Sequence, residues 1–184
     1  MKVYHSGFEK IERPDLKKGR KNADFGQGFY LSDDKDFSLR WAKKRRGSIS
    51  VINTYELNLD GLKVKTFQRD AEWFSFIFAN RNGYEDGMAD DDVIIGPIAN
   101  DTLFDTFGII TSGILKKEQA LKLLQAGPTY RQIVIRSGKA LDQLSFMSCE
   151  VIDEKDLDVY HGLVLEEERK FQESFAEKLA GFDD

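Results

Sequence analysis

The residues with the clearest chemical potential lie between positions 5 and 41 of the chain. His5 ends the segment VYHSG, and its two ring nitrogens can donate to or accept from a hydroxyl group. Tyr30 follows Gly26 and Gly28 in the segment FGQGFYLS. Glycine weakens the interior of a strand, so this pattern indicates backbone that passes close to another strand or to a flat ligand. An aromatic face such as that of Tyr30 stacks well on a flat ring.

Ser38 and Trp41 follow in the segment DKDFSLRWAKKRR. Ser32-Asp33 is a good helix cap, and the apolar spacing after it predicts a helix over residues 34–46 that closes at Gly47. Because positions three apart on a helix are neighbours, the hydroxyl and the indole are expected on one face, as a shared pocket requires.

Each of these residues also has an ordinary structural interpretation. A histidine at a strand end is often held by one hydrogen bond, and Tyr30 and Trp41 could be core aromatics. The run Lys43–Arg46 could complement the dipole of the predicted helix, or it could form a platform for a phosphate-bearing acceptor.

Apolar and alternating runs predict the elements that must position these side chains. Five or six short strands are expected among the segments 3–4 (ending at 5–7), 29–31, 48–59, 62–67, 93–101, 130–137 and 145–152. Segment 62–67 is expected to pair with the strand over 48–59, and Gly96-Pro97 should break segment 93–101. Helices are expected over 71–82, capped by Asp70, and over 115–127, 138–144 and 163–181. This irregular order predicts an α+β domain over residues 1–184, with a helical C-terminal extension from 152 to 184.

Composition narrows the function classes. The net charge is −5 and the isoelectric point about 5.2, so the whole molecule has no general attraction for nucleic acid. One cysteine, Cys149, cannot form an intramolecular disulfide. No apolar run approaches the roughly 20 residues of a membrane span, and MKVYHSG turns polar too early for a signal peptide. A cytoplasmic protein without a membrane partner is therefore expected.

Nucleotide-fold fingerprints and metal motifs are missing from the sequence. It contains no GxGxxG at a strand-to-helix turn, no GxxxxGK[ST] and no HExxH, and it has two histidines. The acidic run Asp90-Asp91-Asp92 is more typical of a solvated loop than of a divalent-ion site. No metal site is therefore expected.

Five motifs in order resemble the ADP-ribosyltransferase superfamily, on the branch with a His–Tyr–Glu triad shared by diphtheria-type toxins and poly(ADP-ribose) polymerases. They are most similar to a bacterial family of unknown function assigned to that superfamily, which reads YHGS, DFGxGFY with a WA helix, NRxG, GPxAND and an NQ-strand. In this chain the corresponding segments are YHSG, DFGQGFYLS…RWA, NRNG, IGPIAND and RQIVI, and the resemblance covers about residues 3 to 146.

The resemblance implies a split β-sheet clamp with flanking helices that binds NAD in a bent form. His5 would hold a ribose hydroxyl, and the backbone of the next residue would grip the nicotinamide carboxamide. That residue is Ser6 here, with Gly7 displaced by one position from the family pattern. Tyr30 would lie flat on the nicotinamide, presented by a sharp backbone turn at Gly28.

The resemblance also assigns the remaining cofactor-binding residues. Ser38 would contact the carboxamide, Trp41 would supply a second stacking ring, and Arg20 is a candidate partner for the pyrophosphate. Asn80-Arg81 and the segment Gly96–Asp101 belong to the family motifs but receive no catalytic role; Asn100-Asp101 is instead a candidate helix cap.

The third triad position is the largest departure from the superfamily. Gln132 aligns where polymerase-type relatives carry glutamate, so His5, Tyr30 and Gln132 would be the catalytic residues. An amide can accept the hydrogen bond of a ribose hydroxyl, but it supplies no charge and cannot deprotonate an acceptor. Glu150 or the run Glu166–Glu168 could supply a carboxylate instead.

The sequence therefore predicts an NAD-dependent mono-ADP-ribosyltransferase that releases nicotinamide, with NAD as co-substrate and an unidentified protein or nucleic-acid acceptor. Two alternatives remain open. One is a module that binds NAD or ADP-ribose without turnover, and the other is an RNA 2′-phosphotransferase that would use Arg20 and Lys43–Arg46. A toxin-like role would add a cognate antitoxin or regulator as a partner.

Overall fold

The computed structural model describes residues 1–84, 90–99, 119 and 130–181. In these residues the chain is a mixture of helices and strands, which confirms the predicted α+β class. The seven described strands are β1 (Lys2–Gly7), β2 (Phe29–Leu31), β3 (Ser50–Leu57), β4 (Val64–Thr66), β5 (Val93–Pro97), β6 (Arg131–Ile135) and β7 (Leu144–Ile152). The four described α-helices are α1 (Lys35–Arg40), α2 (Ala71–Arg81), α3 (Gly138–Asp142) and α4 (Glu154–Ala180).

The strands form two sheets. The first sheet has the order β1-β3-β7 and is antiparallel throughout. The second sheet has the order β2-β6-β5-β4, in which β4 and β5 are parallel and the other pairs antiparallel. An antiparallel bridge between Tyr4 and Ser32 joins the edge of one sheet to the edge of the other, with N–H···O distances of 2.8 and 3.0 Å.

Three apolar clusters define the layers of the fold. The largest lies between the two sheets, because alternate residues of β1, β3 and β7 meet alternate residues of β2, β5 and β6 there. The opposite face of the second sheet packs on α2 through Trp73, Phe76 and Ile77. The opposite face of the first sheet packs on α1 and α4 through Leu39 and Leu157. Each sheet thus carries an apolar cluster on both of its faces.

Three predicted elements are wrong in extent or pairing: segment 62–67, helix α1 and helix α4. Segment 62–67 was expected beside the strand over 48–59, but β4 pairs with β5 in the second sheet. The reason is that both sides of β3 are already occupied, by β1 and β7. Helix α1 ends at Arg40 and not near Gly47, and the four adjacent cations Lys43–Arg46 lie exposed beyond it.

Asp70 caps α2 as expected, since its carboxylate accepts from the Trp73 N–H at 3.0 Å. Helix α4 starts at Glu154, earlier than the predicted 163–181, because packing of Leu157 and Tyr160 outweighs the cost of Gly162 in the helix. The predicted helix 115–127 and the Asn100-Asp101 cap fall outside the described residues. None of the described helices is both long and apolar enough to cross a membrane.

Candidate functional site

His5 lies at the junction of the two sheets. It shares a face of β1 with the buried Val3, and its ring lies 4.5 Å from the ring of Phe29, centroid to centroid. His5 Nδ1 is 2.8 Å from the main-chain oxygen of Tyr30. Because a carbonyl can only accept, Nδ1 carries the proton and Nε2 is the acceptor nitrogen. Burial lowers the pKa of His5, so the ring is neutral near pH 7.

Tyr30 is held by the turn that precedes its own strand. Its hydroxyl donates to the carbonyl of Gly26 at 2.8 Å and accepts from the N–H of Phe25 at 2.9 Å. Gly26 has a φ of 73°, a conformation that favours glycine. Burial raises the pKa of the Tyr30 phenol well above its ordinary value, so the hydroxyl stays protonated. The orientation of the ring is therefore fixed by two hydrogen bonds.

Gly28 lies where three backbone segments meet. A Cβ atom added there would lie 2.5 Å from the Ile135 carbonyl oxygen and 2.7 Å from Val134 Cγ1. A Cβ atom on Gly19 would in turn collide with the backbone of Gly28. The sequence predicted that the backbone near the two glycines of FGQGFY passes close to another group. At Gly28 that group is strand β6 on one side and the loop that contains Gly19 on the other.

Gly28→Ala is expected to lower the free energy of unfolding by about 1–3 kcal/mol, because the new methyl group would push strand β6 away from β2. Urea denaturation of the variant measures this loss. Gly162→Ala in α4 is the matched control, since apart from its own helix backbone nothing lies within 4 Å of its added Cβ, and alanine favours the helix by about 0.5–1 kcal/mol. Equal stability of Gly28→Ala and wild type would contradict the packing at Gly28.

Ser6 and Ser38 come together although they are 32 residues apart. The Ser6 hydroxyl donates to the Ser38 carbonyl, which ties the end of β1 to α1. Ser38 is buried, and its own hydroxyl donates to the carbonyl of Asp34 at 3.0 Å. The Asp34 carboxylate also caps α1 by accepting from the Phe37 N–H at 3.0 Å. A ligand that used the Ser38 hydroxyl would therefore compete with an internal hydrogen bond.

Trp41 follows the last residue of α1 and is 54% exposed. Its ring lies 5.7 Å from that of Phe37, and among the described residues it makes no ring contact with Tyr30. Two rings that stack on opposite sides of a third ring do not touch one another. A second stacking ring at Trp41 therefore stays a prediction.

Two arginines lie near the Tyr30 phenol. Arg20 and Arg136 are both close enough that their charges oppose the rise in the Tyr30 pKa that burial causes. Arg20 is exposed in the loop before β2, and Arg136 directly follows β6. The resemblance made Arg20 a candidate site residue but did not include Arg136. The alternation of β6 places Arg136 on the same face as Gln132 and Val134.

Gln132 is buried in β6, and its side chain contacts Asp24 and not His5. Its Nε2 lies 3.2 Å from Asp24 Oδ2, and Arg81 Nε lies 2.6 Å from Asp24 Oδ1. Val134, two residues further, pairs with Tyr30 across β2 and β6, so the side chains of Gln132 and Tyr30 share one face of the second sheet. Asp24 and Arg81 had no predicted role, although they stand in the motifs DFGQGFY and NRNG.

The alternative carboxylates are engaged elsewhere. Glu150 pairs with Lys35 at 3.1 Å, and Glu166 pairs with Lys170 at 2.7 Å within α4. Glu167 contacts Arg40 and accepts from the Tyr130 hydroxyl at 2.9 Å, so it binds α4 to α1 and to the start of β6. These three carboxylates have structural partners, and Gln132 is not among the partners described.

A family model described as "Protein of unknown function (DUF3990)" matches residues 1–146. The match includes every predicted site residue from His5 to Gln132, and it ends inside β7, so α4 lies beyond it. No curated protein and no solved structure matches the chain.

Proposed function

We propose that this chain, which belongs to the DUF3990 family of proteins of unknown function, is an NAD-dependent mono-ADP-ribosyltransferase. The observation that carries the proposal is the hydrogen bond between His5 Nδ1 and the main-chain carbonyl of Tyr30. It joins two members of the expected triad that lie 25 residues apart in the chain. It also leaves His5 Nε2 as an acceptor of the kind that a ribose hydroxyl needs.

The arrangement of the sheets supports the same proposal. Two sheets that share one bridge at Tyr4 and Ser32 are compatible with the split clamp that the superfamily uses to hold NAD. His5 directly follows Tyr4 in β1, and Tyr30 lies just before Ser32 in the chain. The proposed NAD site would therefore lie where the two sheets meet.

In this proposal the nicotinamide, the adjoining ribose and the pyrophosphate each have a partner. The nicotinamide stacks on Tyr30, and its carboxamide meets the backbone of Ser6 and the hydroxyl of Ser38. His5 Nε2 accepts from a hydroxyl of the adjoining ribose. Arg20 binds the pyrophosphate, and the charge of Arg136 near the Tyr30 phenol favours the same anion.

The proposed reaction breaks the bond between the anomeric carbon of the ribose and the nicotinamide nitrogen, which keeps the electron pair. The acceptor's nucleophile then bonds to that carbon and gives up its proton to solvent. Gln132 would accept a hydrogen bond from the ribose hydroxyl without adding charge, so positioning and desolvation supply most of the rate. The acceptor must bring its own reactive nucleophile, because the described residues around Gln132 offer no free base.

The test is to incubate the purified chain with NAD labelled in its adenylate part and with fractions of protein, RNA and DNA. Nicotinamide release matched by one ADP-ribose per modified site is the expected result. Formation of ADP-ribose cyclic phosphate from 2′-phosphorylated RNA would instead identify an RNA 2′-phosphotransferase. Failure to bind NAD, measured by calorimetry, would reject the proposal.

A module that binds NAD or ADP-ribose without turnover is the second candidate. It is favoured by the uncharged Gln132 and by the structural engagement of Glu150 and Glu167. It predicts a calorimetric signal for NAD without release of nicotinamide in the presence of any acceptor. A protein partner, such as an antitoxin or a regulator, would then be the means by which binding has an effect.

A further inference from the structure

Asp24, Arg81 and Gln132 form a hydrogen-bonded row on the face of the second sheet that carries Tyr30. Gln132 Nε2 lies 3.2 Å from one oxygen of Asp24, and Arg81 Nε lies 2.6 Å from the other oxygen. The side chains of Arg81 and Asp24 are only 13% and 17% exposed. An ion pair so well shielded, next to a buried amide, is costly to build unless every member is paired.

The chemistry of the three groups fixes the orientation of the amide. A carboxylate can only accept, so Gln132 must turn its NH2 group toward Asp24 and its Oε1 away from it. Arg81 holds the carboxylate in place and is itself anchored by a 3.3 Å contact from Nη2 to the carbonyl of Ala99. Because Arg81 compensates the charge of Asp24, the pair acts on Gln132 mainly by orienting it.

Four of the five sequence motifs meet at this row, one of them being RQIVI, which contains Gln132. Phe25, the neighbour of Asp24, packs against Gly96, where an added Cβ would lie 2.8 Å from Phe25 Cζ. Gly96 is in turn the register partner of Gln132 across β5 and β6. Asp24 of DFGQGFY thus contacts Gln132, Arg81 of NRNG contacts Asp24, and Gly96 of IGPIAND pairs with Gln132 across β5 and β6. None of these three positions had a catalytic assignment.

We propose that Asp24, fixed by Arg81, is a positioning residue that holds the Gln132 amide with Oε1 presented as the acceptor for the ribose 2′-hydroxyl. The ligand named in this inference rests on the proposed function, whereas the orientation of the amide does not. The same row explains why glutamine stands where polymerase-type relatives have glutamate. A carboxylate at position 132 would face the carboxylate of Asp24, and like charges at this distance oppose one another.

Reversing the donor and acceptor roles between position 24 and Gln132 has a predictable effect on the reaction. In Asp24→Asn, Arg81 can only donate, so it would retain the Asn oxygen and the Asn NH2 would face Gln132. Gln132 would then flip and present its own NH2 to the ribose. We expect kcat for nicotinamide release to fall by about 10- to 100-fold while KM for NAD changes less than about threefold.

Rescue by a second substitution separates orientation from folding. In the double variant Asp24→Asn/Gln132→Glu, the carboxylate accepts from the Asn NH2 and again presents an oxygen to the ribose. Its kcat is expected to return to within about threefold of wild type or to exceed it, whereas Gln132→Glu alone stays impaired by Asp24. Wild-type kcat in Asp24→Asn, or a double variant no better than Asp24→Asn, would overturn the inference.

An NMR measurement on the protein without NAD distinguishes failure of this inference from failure of the proposed function. In the free protein, the side-chain amide of Gln132 in a ¹⁵N NMR spectrum should show a downfield proton that exchanges slowly with solvent, and Asp24→Asn should remove it. The matched control Asp142→Asn breaks an exposed pair with Arg13 and should leave it unchanged. An unshifted Gln132 resonance in Asp24→Asn refutes the orientation. The expected NMR result together with no calorimetric signal for NAD refutes the ribose as its ligand and the transferase with it.

Discussion

His5→Ala is expected to reduce the release of nicotinamide from NAD by about a hundredfold or more, because it removes both the ribose acceptor at Nε2 and the bond to the Tyr30 carbonyl. The measurement is the rate of nicotinamide release at saturating NAD, with a thermal melt to show that the variant is folded. Tyr30→Ala should have an effect of similar size, because it removes the proposed stacking surface.

The matched control is His161→Ala, because the chain has only two histidines and His161 lies exposed on α4, outside the family match. It should keep the wild-type rate. His5→Asn separates the two roles of His5, since the Nδ2 amide of asparagine can donate to the Tyr30 carbonyl in place of Nδ1 while no acceptor remains at the position of Nε2. It should stay folded but show the low rate of His5→Ala. Full activity in both His5→Ala and Tyr30→Ala would reject the assigned site.

Trp73→Ala is expected to lower the free energy of unfolding by about 3–5 kcal/mol, the largest effect on stability among these predictions. Trp73 is 0% exposed between α2 and the second sheet, so its loss opens a cavity. Its indole N–H also donates to the Pro97 carbonyl at 3.0 Å, and that carbonyl would lose its partner. Urea denaturation followed by circular dichroism measures the change.

The chain supplies its own control for this prediction, because its other tryptophan is Trp41. Trp41 is 54% exposed, so Trp41→Ala should change stability by no more than about 0.5 kcal/mol. A loss in Trp73→Ala no greater than that in Trp41→Ala would contradict the packing of α2 on the second sheet.

Local patterns predicted most of the fold, and partner choice between strands was the main failure. The Asp70 cap and the strand over 145–152 depend on neighbouring residues, and both are close to what the structure has. The pairing of segment 62–67 with β5 depends on which edges other strands have already filled, which no local pattern records. The prediction extended helix α1 too far because it relied on capping and periodicity and gave too little weight to the repulsion within Lys43–Arg46.

The candidate site divides in the same way. The family resemblance placed His5 with Tyr30 and Ser6 with Ser38 in one site, and both pairs are in contact in the structure. The five motifs span nearly the same residues as the family match. The Asp24 and Arg81 row was missed because it depends on side chains from a loop, a helix and a strand. Their presence in the quoted motifs was the one available indication.

The Tyr4–Ser32 bridge has a mechanical consequence. Among the described residues, its two hydrogen bonds are the only backbone ones that cross between the sheets, so any rotation of one sheet against the other would pivot there. Points far from a pivot travel furthest, while His5 and the Tyr30 carbonyl adjoin it. Such a rotation would therefore separate residues that lie far from the bridge, while His5 and the carbonyl of Tyr30 would stay in register.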